Sequence, residues 1–211
     1  MSVFPIAYFP SINYLNLWIK QEAITLEIHE NFPKQTIRNR CEILSGNGIL
    51  RLSIPVEHAS GQKIQTKDIK IVQTGSWKTD HWRAIESAYA SAPFFEDYAE
   101  EIKKIIFEST GFLIDTTNHC LDFVAEILDQ KMDYAVTSEY KHTTSNDFRN
   151  FDFFQKEDWK LPEYQQVFSY NKPFTPNLSI IDLIFNEGPF IRKWILENNP
   201  VNSTTSNHTI A

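Results

Sequence analysis

The chain has 211 residues, a formal net charge of −7 and a pI of about 5.4. This charge argues against a general nucleic-acid binder, because phosphate affinity comes largely from clustered Lys and Arg. No apolar stretch reaches the roughly 18 residues needed to cross a bilayer, and two cysteines are too few for a disulfide framework. With 42% hydrophobic residues, we expect one cytoplasmic domain over residues 1–196 and a polar, disordered tail over 197–211.

The first segments indicate a β-α-β unit. Residues 3–9 form an apolar and aromatic run, and Ser11 then precedes apolar residues at helical spacing. Residues 23–28 form a short β-branched run, which predicts a second strand joined to the first by a right-handed parallel crossover. Ligands of open α/β sheets lie outside the carboxyl ends of parallel strands. We therefore expect a ligand site where these two strands end.

A β-hairpin is predicted next. Two alternating runs, residues 37–44 and 49–56, flank a turn that contains two glycines. Period-two spacing within the first run places Arg38 and Arg40 on one face of the strand, while Asn39 points to the other face.

The second half of the chain is predicted to be mostly helical. A further strand is expected over residues 68–72, and the polar but aromatic residues 141–160 are expected to form an ordered loop, packed on the body, that can act as a lid. The predicted elements are helices over residues 77–91, from Pro93 to Ile106, from Thr117 or Asn118 onward, over 180–185 and over 190–196, and a strand over 134–137. The fold class is therefore α/β or α+β, with an N-terminal β-α-β unit and β-hairpin followed by a mostly helical C-terminal half.

Several short motifs, taken in order over about residues 4–196, resemble the WbqC-like protein family. They are Ala7-Tyr8-Phe9-Pro10, Lys34-Gln35, Arg38-Asn39-Arg40, Ser53-Ile54-Pro55-Val56, residues 81–89, Ala92-Pro93-Phe94-Phe95 and residues 177–188. The resemblance implies a bacterial protein that is associated with surface-polysaccharide gene clusters, and some members are supposed to be transferases. The commoner opening of the family places a Gln before Pro or directly before the aromatic pair, whereas Ala7 precedes Tyr8 in this chain.

Basic side chains near the hairpin suggest an anion site. Arg38 and Arg40 can hold a phosphate or carboxylate through bidentate hydrogen bonds, and Lys34 can add a charge. The alternative is surface pairing with acids such as Glu42. If Arg38 binds ligand, Arg38→Ala is expected to weaken binding with little loss of stability. The predicted substrate-binding residues are Tyr8, Phe9, Asn31, Lys34, Arg38, Asn39 and Arg40, and the aromatic members can equally belong to the core.

Three residues are candidates for proton transfer. His29 follows the second strand and is either a general base or a capped loop histidine. His81 is either a catalytic or binding residue or a core histidine. Glu86 is a candidate acid or base, or the helical partner of Arg83. The pair His81 and Glu86 does not share a helix face, and no histidines have metal-ligand spacing, so no metal site is predicted.

No sequence motif identifies a cofactor, since the phosphate-binding Walker loop, Gly-x-Gly-x-x-Gly and Gly-x-Ser-x-Gly are all missing. With the resemblance, the leading hypothesis is a transferase that acts on an activated sugar or related anionic donor during surface-polysaccharide formation. One alternative is a carbohydrate- or nucleotide-binding module that uses the same pocket without turnover. Another is an interaction protein that docks a partner through residues 148–159.

Overall fold

The fold combines a small parallel sheet with a β-hairpin and several helices, so the predicted α/β class is confirmed. The computed structural model describes residues 1–57, 63–142, 144–156, 162–170 and 172–197. Short 3₁₀ turns lie at Thr66–Asp68 and Gly188–Phe190, and a π-helical turn lies at Lys193–Glu197. The other elements are β1 (Ser2–Pro5), α1 (Ile12–Trp18), β2 (Ile24–Glu27), β3 (Arg40–Ser45), β4 (Gly48–Ser53), α2 (Trp77–Tyr89), α3 (Phe95–Glu108), α4 (Leu113–Ile127), β5 (Ala135–Val136), β6 (Asn146–Asp147) and α5 (Ile180–Glu187).

The parallel sheet has the strand order β5-β2-β1-β6. Strands β1 and β2 pair in parallel, which confirms the β-α-β prediction, and every residue of both strands is buried. The outer strands β5 and β6 contain two residues each and also run parallel to their neighbours. Because all four strands point the same way, their carboxyl ends meet at one edge of the sheet.

Strands β3 and β4 form the predicted antiparallel hairpin, with Arg40 opposite Ser53. Strand β3 begins later than predicted, because the backbone N–H of Asn39 bonds to the Thr36 carbonyl at 3.2 Å and closes a turn. Arg38 lies in that turn and not on the strand. The prediction that Arg38 and Arg40 share one strand face is therefore wrong.

Two other element predictions are wrong in part. The strand expected over residues 68–72 is replaced by a 3₁₀ turn and two isolated bridges. Helix α4 begins at Leu113, before the predicted cap, and its N-cap Phe112 makes no side-chain hydrogen bond. Thr117 lies inside the helix, where its hydroxyl donates to the Ile114 carbonyl at 2.9 Å. Helix α5 begins as predicted after Ser179, whose side chain accepts from the N–H of Ile181.

The segment before α5 joins the two halves of the chain. The N–H of Ser179 donates to the Glu42 carbonyl of β3 at 2.7 Å, and the Ser179 hydroxyl donates to the Phe9 carbonyl at 2.9 Å. The N–H of Ile180 donates to the Pro10 carbonyl at 2.8 Å. Buried hydrophobic residues from both halves accordingly form one contiguous cluster.

Two predictions concern the whole chain. The single domain over residues 1–196 stays a prediction, and the tail prediction falls on residues 198–211, which lie outside the described residues. In the ranges that the structure describes, every helix is too short or too polar to traverse a bilayer.

Candidate functional site

A pocket of about 270 Å³ opens beside the carboxyl edge of the parallel sheet, where the sequence predicted a site. One wall comes from the turns between β2 and β3, and the other comes from the segment after β6. The lining residues are Pro33, residues 35–38 and residues 149–154. We call this the edge pocket. Three further depressions border α3 and α4, away from this edge.

Arg38 lies in the wall of the edge pocket and is only 2% exposed. Its Nε and Nη2 bond to the two carboxylate oxygens of Glu30 at 2.5 and 2.9 Å, Nη2 also bonds to the Arg149 carbonyl, and Nη1 bonds to the Thr36 hydroxyl. Burial raises the pKa of Glu30, and the charge and hydrogen bonds of Arg38 offset this only in part. A guanidinium has five N–H donors, so one N–H of Nη1 is left for a ligand.

Arg149 is the second guanidinium in the wall, and it was not predicted from the sequence. Its Nε and Nη2 bond to the two oxygens of Asp147, and its Nη1 bonds to Glu27 at 3.0 Å. Burial alone would raise the pKa of Asp147, but the hydrogen bonds and charge of Arg149 outweigh burial and leave that pKa below its ordinary value. The sequence feature that could have indicated a buried basic partner such as Arg149 is Glu27, a carboxylate that ends an otherwise uncharged strand.

The aromatic side of the pocket is anchored from behind. The Phe153 ring lies 5.0 Å from the Tyr14 ring, and the Phe148 ring stacks on Phe4 at 4.5 Å. The Asn177 amide donates to the carbonyl of Phe153 at 2.9 Å and to the carbonyl of Gln155 at 2.7 Å. The prediction that this segment packs on the body is confirmed for residues 144–156, although they include strand β6 and are not purely a loop. Residues 143 and 157–160 lie outside the described residues. A lid function stays a prediction.

His81 connects the end of β1 to the hairpin and does not line the edge pocket. Its Nε2 lies 3.2 Å from the Ser53 carbonyl, and its Nδ1 lies 3.1 Å from the Tyr8 hydroxyl. Since a carbonyl only accepts, Nε2 carries the hydrogen, and Nδ1 accepts from Tyr8. Burial lowers the pKa of His81 to about 4, so the ring is neutral. These contacts favour the core-histidine interpretation.

The other candidates near β1 and the hairpin also have structural contacts. Tyr8 and Phe9 are fully buried, and Phe9 has a left-handed φ of 38°. Asn39 is buried and donates to the Ile54 carbonyl at 2.9 Å. Arg40 is half-buried and lies outside the pocket lining. Of the two arginines in the predicted anion clamp, Arg38 lines the pocket and Arg40 does not.

The remaining candidates are more exposed. Lys34 and Asn31 are exposed, and the chain neighbours of Lys34 on both sides line the pocket, which places Lys34 at its rim. His29 is half-buried at the same sheet edge, where its backbone N–H donates to a carboxylate oxygen of Glu27 at 2.7 Å. Glu86 is exposed on α2. Within the described residues, Glu86 forms no ion pair with a basic side chain, and no three His, Cys, Asp or Glu side chains are grouped to hold a metal ion.

Comparison with known proteins identifies the family. The model of the WbqC-like protein family matches residues 6–160 and 150–193. The chain belongs to the WbqC-like protein family. This WbqC-like chain is also similar to a protein of Mycobacterium tuberculosis (strain ATCC 25618 / H37Rv) described as uncharacterized protein Rv1507c, with 24% identity over 215 residues that cover 86% of this chain and 90% of that protein. No solved structure matches the chain. The family match includes both walls of the edge pocket.

Proposed function

We propose that this WbqC-like protein is a cytoplasmic transferase that binds an activated sugar or related anionic donor in the edge pocket during surface-polysaccharide formation. The observation that carries the proposal is the position of Arg38, which a buried ion pair with Glu30 holds in the pocket wall with one N–H to spare. A rigid polar group beside aromatic rings, at the carboxyl edge of a parallel sheet, is typical of a small-molecule site.

The anionic part of the donor binds at the rim, on Lys34. The charges of Arg38 and Arg149 are already matched by carboxylates, whereas Lys34 forms no ion pair with any residue that the structure describes. An ammonium group at the mouth of a pocket attracts a phosphate without a large desolvation cost.

His29 is the residue that we propose to move the proton. It lies at the same sheet edge, whereas both ring nitrogens of His81 are engaged and Glu86 is exposed on α2. An imidazole can both accept and donate a proton, which suits general acid–base work.

Donor consumption by purified protein tests the proposal. A panel of UDP-, GDP- and CMP-sugars is incubated with wild type, Lys34→Ala, His29→Ala and the distant control Lys103→Ala, which changes a half-buried residue of α3. We expect Lys34→Ala to raise the donor KM, His29→Ala to lower kcat, and Lys103→Ala to match wild type. No consumption of any donor, or equal kinetics in all four proteins, would contradict the proposal.

A further inference from the structure

The charge of the edge pocket does not suit an anion in its interior. The two arginines of the wall pair with three carboxylates, the buried ones of Glu27 and Glu30 and the more exposed one of Asp147. Each cationic charge in the wall is therefore already paired with a carboxylate. A phosphate placed there would lose its hydration without gaining an unpaired cation.

The size and chemistry of the lining suit a small polyhydroxyl ring. The volume of about 270 Å³ is just below the range of about 300 to 1,000 Å³ that holds drug-sized ligands, so the pocket has room for one ring and not for a whole nucleotide donor. The lining offers amide groups from Gln35 and Asn150 and the remaining N–H of Arg38. A sugar hydroxyl group can both donate and accept a hydrogen bond, so it can pair with both the donors and the acceptors of this lining.

Asp152 is the one carboxylate among the residues that line this pocket. Its Oδ1 accepts from the N–H of Phe154 at 2.9 Å, which fixes the carboxylate in a turn. The side chain is exposed, and within the described ranges it forms no ion pair. Because a carboxylate has about four lone-pair sites, Oδ2 stays available as an acceptor.

We infer that the edge pocket binds the neutral sugar ring of its ligand, and that Asp152 is a specificity-determining residue whose Oδ2 accepts one hydroxyl of that ring. The inference rests on the proposed function, since it assigns the interior of the same pocket to the sugar and leaves the charged part of the donor at Lys34. The Phe151 and Phe154 rings provide apolar surface for the ring faces.

Sugar titrations followed by NMR test the inference directly. The methyl glycosides of glucose, galactose, mannose and N-acetylglucosamine are titrated into wild type, Asp152→Asn and the control Asp97→Asn, which changes an exposed residue of α3. Asparagine keeps an Oδ1 that accepts from Phe154, so the turn is preserved. Single-deoxy analogues of the sugar that binds then show which hydroxyl is recognised.

We expect Asp152→Asn to bind the sugar about tenfold to a hundredfold more weakly, as for loss of a hydrogen bond to a charged group. One deoxy analogue should bind wild type as weakly as the parent sugar binds Asp152→Asn. Asp152→Asn should bind this analogue and the parent sugar with equal affinity. Equal binding by Asp152→Asn and wild type, or binding of nucleotide sugars without any free sugar, would overturn the inference and leave the proposed function standing. Failure of all sugars and nucleotide sugars would overturn both.

Discussion

Arg38 and Glu30 form a buried ion pair immediately behind the edge pocket, with two parallel hydrogen bonds of 2.5 and 2.9 Å. The side chains are 2% and 9% exposed. The pair therefore fixes the direction of the guanidinium that faces the pocket, and it also makes Arg38 part of the folded core. The expectation that Arg38→Ala leaves stability nearly unchanged does not fit this burial.

Removal of one partner of this ion pair is expected to lower the stability of the fold. Arg38→Ala leaves Glu30 as a buried and unpaired carboxylate, so the free energy of unfolding in urea should fall by about 3 to 5 kcal/mol. The double variant Arg38→Met/Glu30→Gln should recover most of this loss, because no charge is then left without a partner.

Arg51→Ala is the matched control for Arg38→Ala. The Arg51 side chain is 58% exposed, and its partner Glu42 keeps a second ion pair with Lys156. Its removal should cost less than about 1 kcal/mol. Similar losses for Arg38→Ala and Arg51→Ala would show that the buried pair does not have the assigned role.

The burial of His81 predicts a pH dependence of stability. The folded-state pKa is about 4, below the ordinary value of 6.5, so between these values the unfolded chain binds a proton that the folded chain does not. Stability should therefore fall as pH decreases through this window, with a contribution from His81 of about 3 kcal/mol.

His81→Gln isolates the contribution of this histidine. A glutamine amide can donate to the Ser53 carbonyl and accept from Tyr8, as His81 does, but it does not titrate. The unfolding free energy of wild type minus that of His81→Gln should decrease by about 3 kcal/mol from pH 7 to pH 4, because wild type alone loses this contribution. A difference that is constant across this range would refute the assignment.

Gly188 at the end of α5 should not tolerate a side chain. Its φ is 53°, and an added Cβ would overlap ring atoms of Phe94. Gly188→Ala should cost about 3 kcal/mol, from the left-handed backbone and the steric overlap together. Gly111→Ala, at φ 70° with open space around the Cβ, should cost about 1 kcal/mol. Equal costs in thermal unfolding would mean that the Phe94 contact is unimportant.

Local sequence signals predicted the elements that depend on local interactions. The β-α-β unit, the hairpin and the start of α5 at Ser179 follow from periodicity, turn residues and caps. Arg149 could not be found in this way, because its position depends on β6, a two-residue strand that is held by its pairing with β1. The partner of Arg38 was also missed, since the turns after β2 bring Glu30, and not Glu42, to the guanidinium.

The central claim is that the edge pocket binds the ligand, and Gln35→Gly tests it with little risk to the fold. Gln35 lines the pocket, is exposed and has a φ of 65°. The exposed Asp129, with a φ of 47°, lies outside the pocket and provides the matched control. Because glycine adopts positive φ without strain, Gln35→Gly and Asp129→Gly should each gain up to about 1 kcal/mol of stability.

The first measurement is therefore calorimetric titration of UDP-, GDP- and CMP-sugars into wild type, Gln35→Gly and Asp129→Gly. Loss of a polar contact in the pocket should weaken binding by Gln35→Gly about tenfold, while Asp129→Gly binds as wild type does. If a nucleotide sugar binds all three proteins with equal affinity, or binds none of them, the edge pocket is not the site of donor binding.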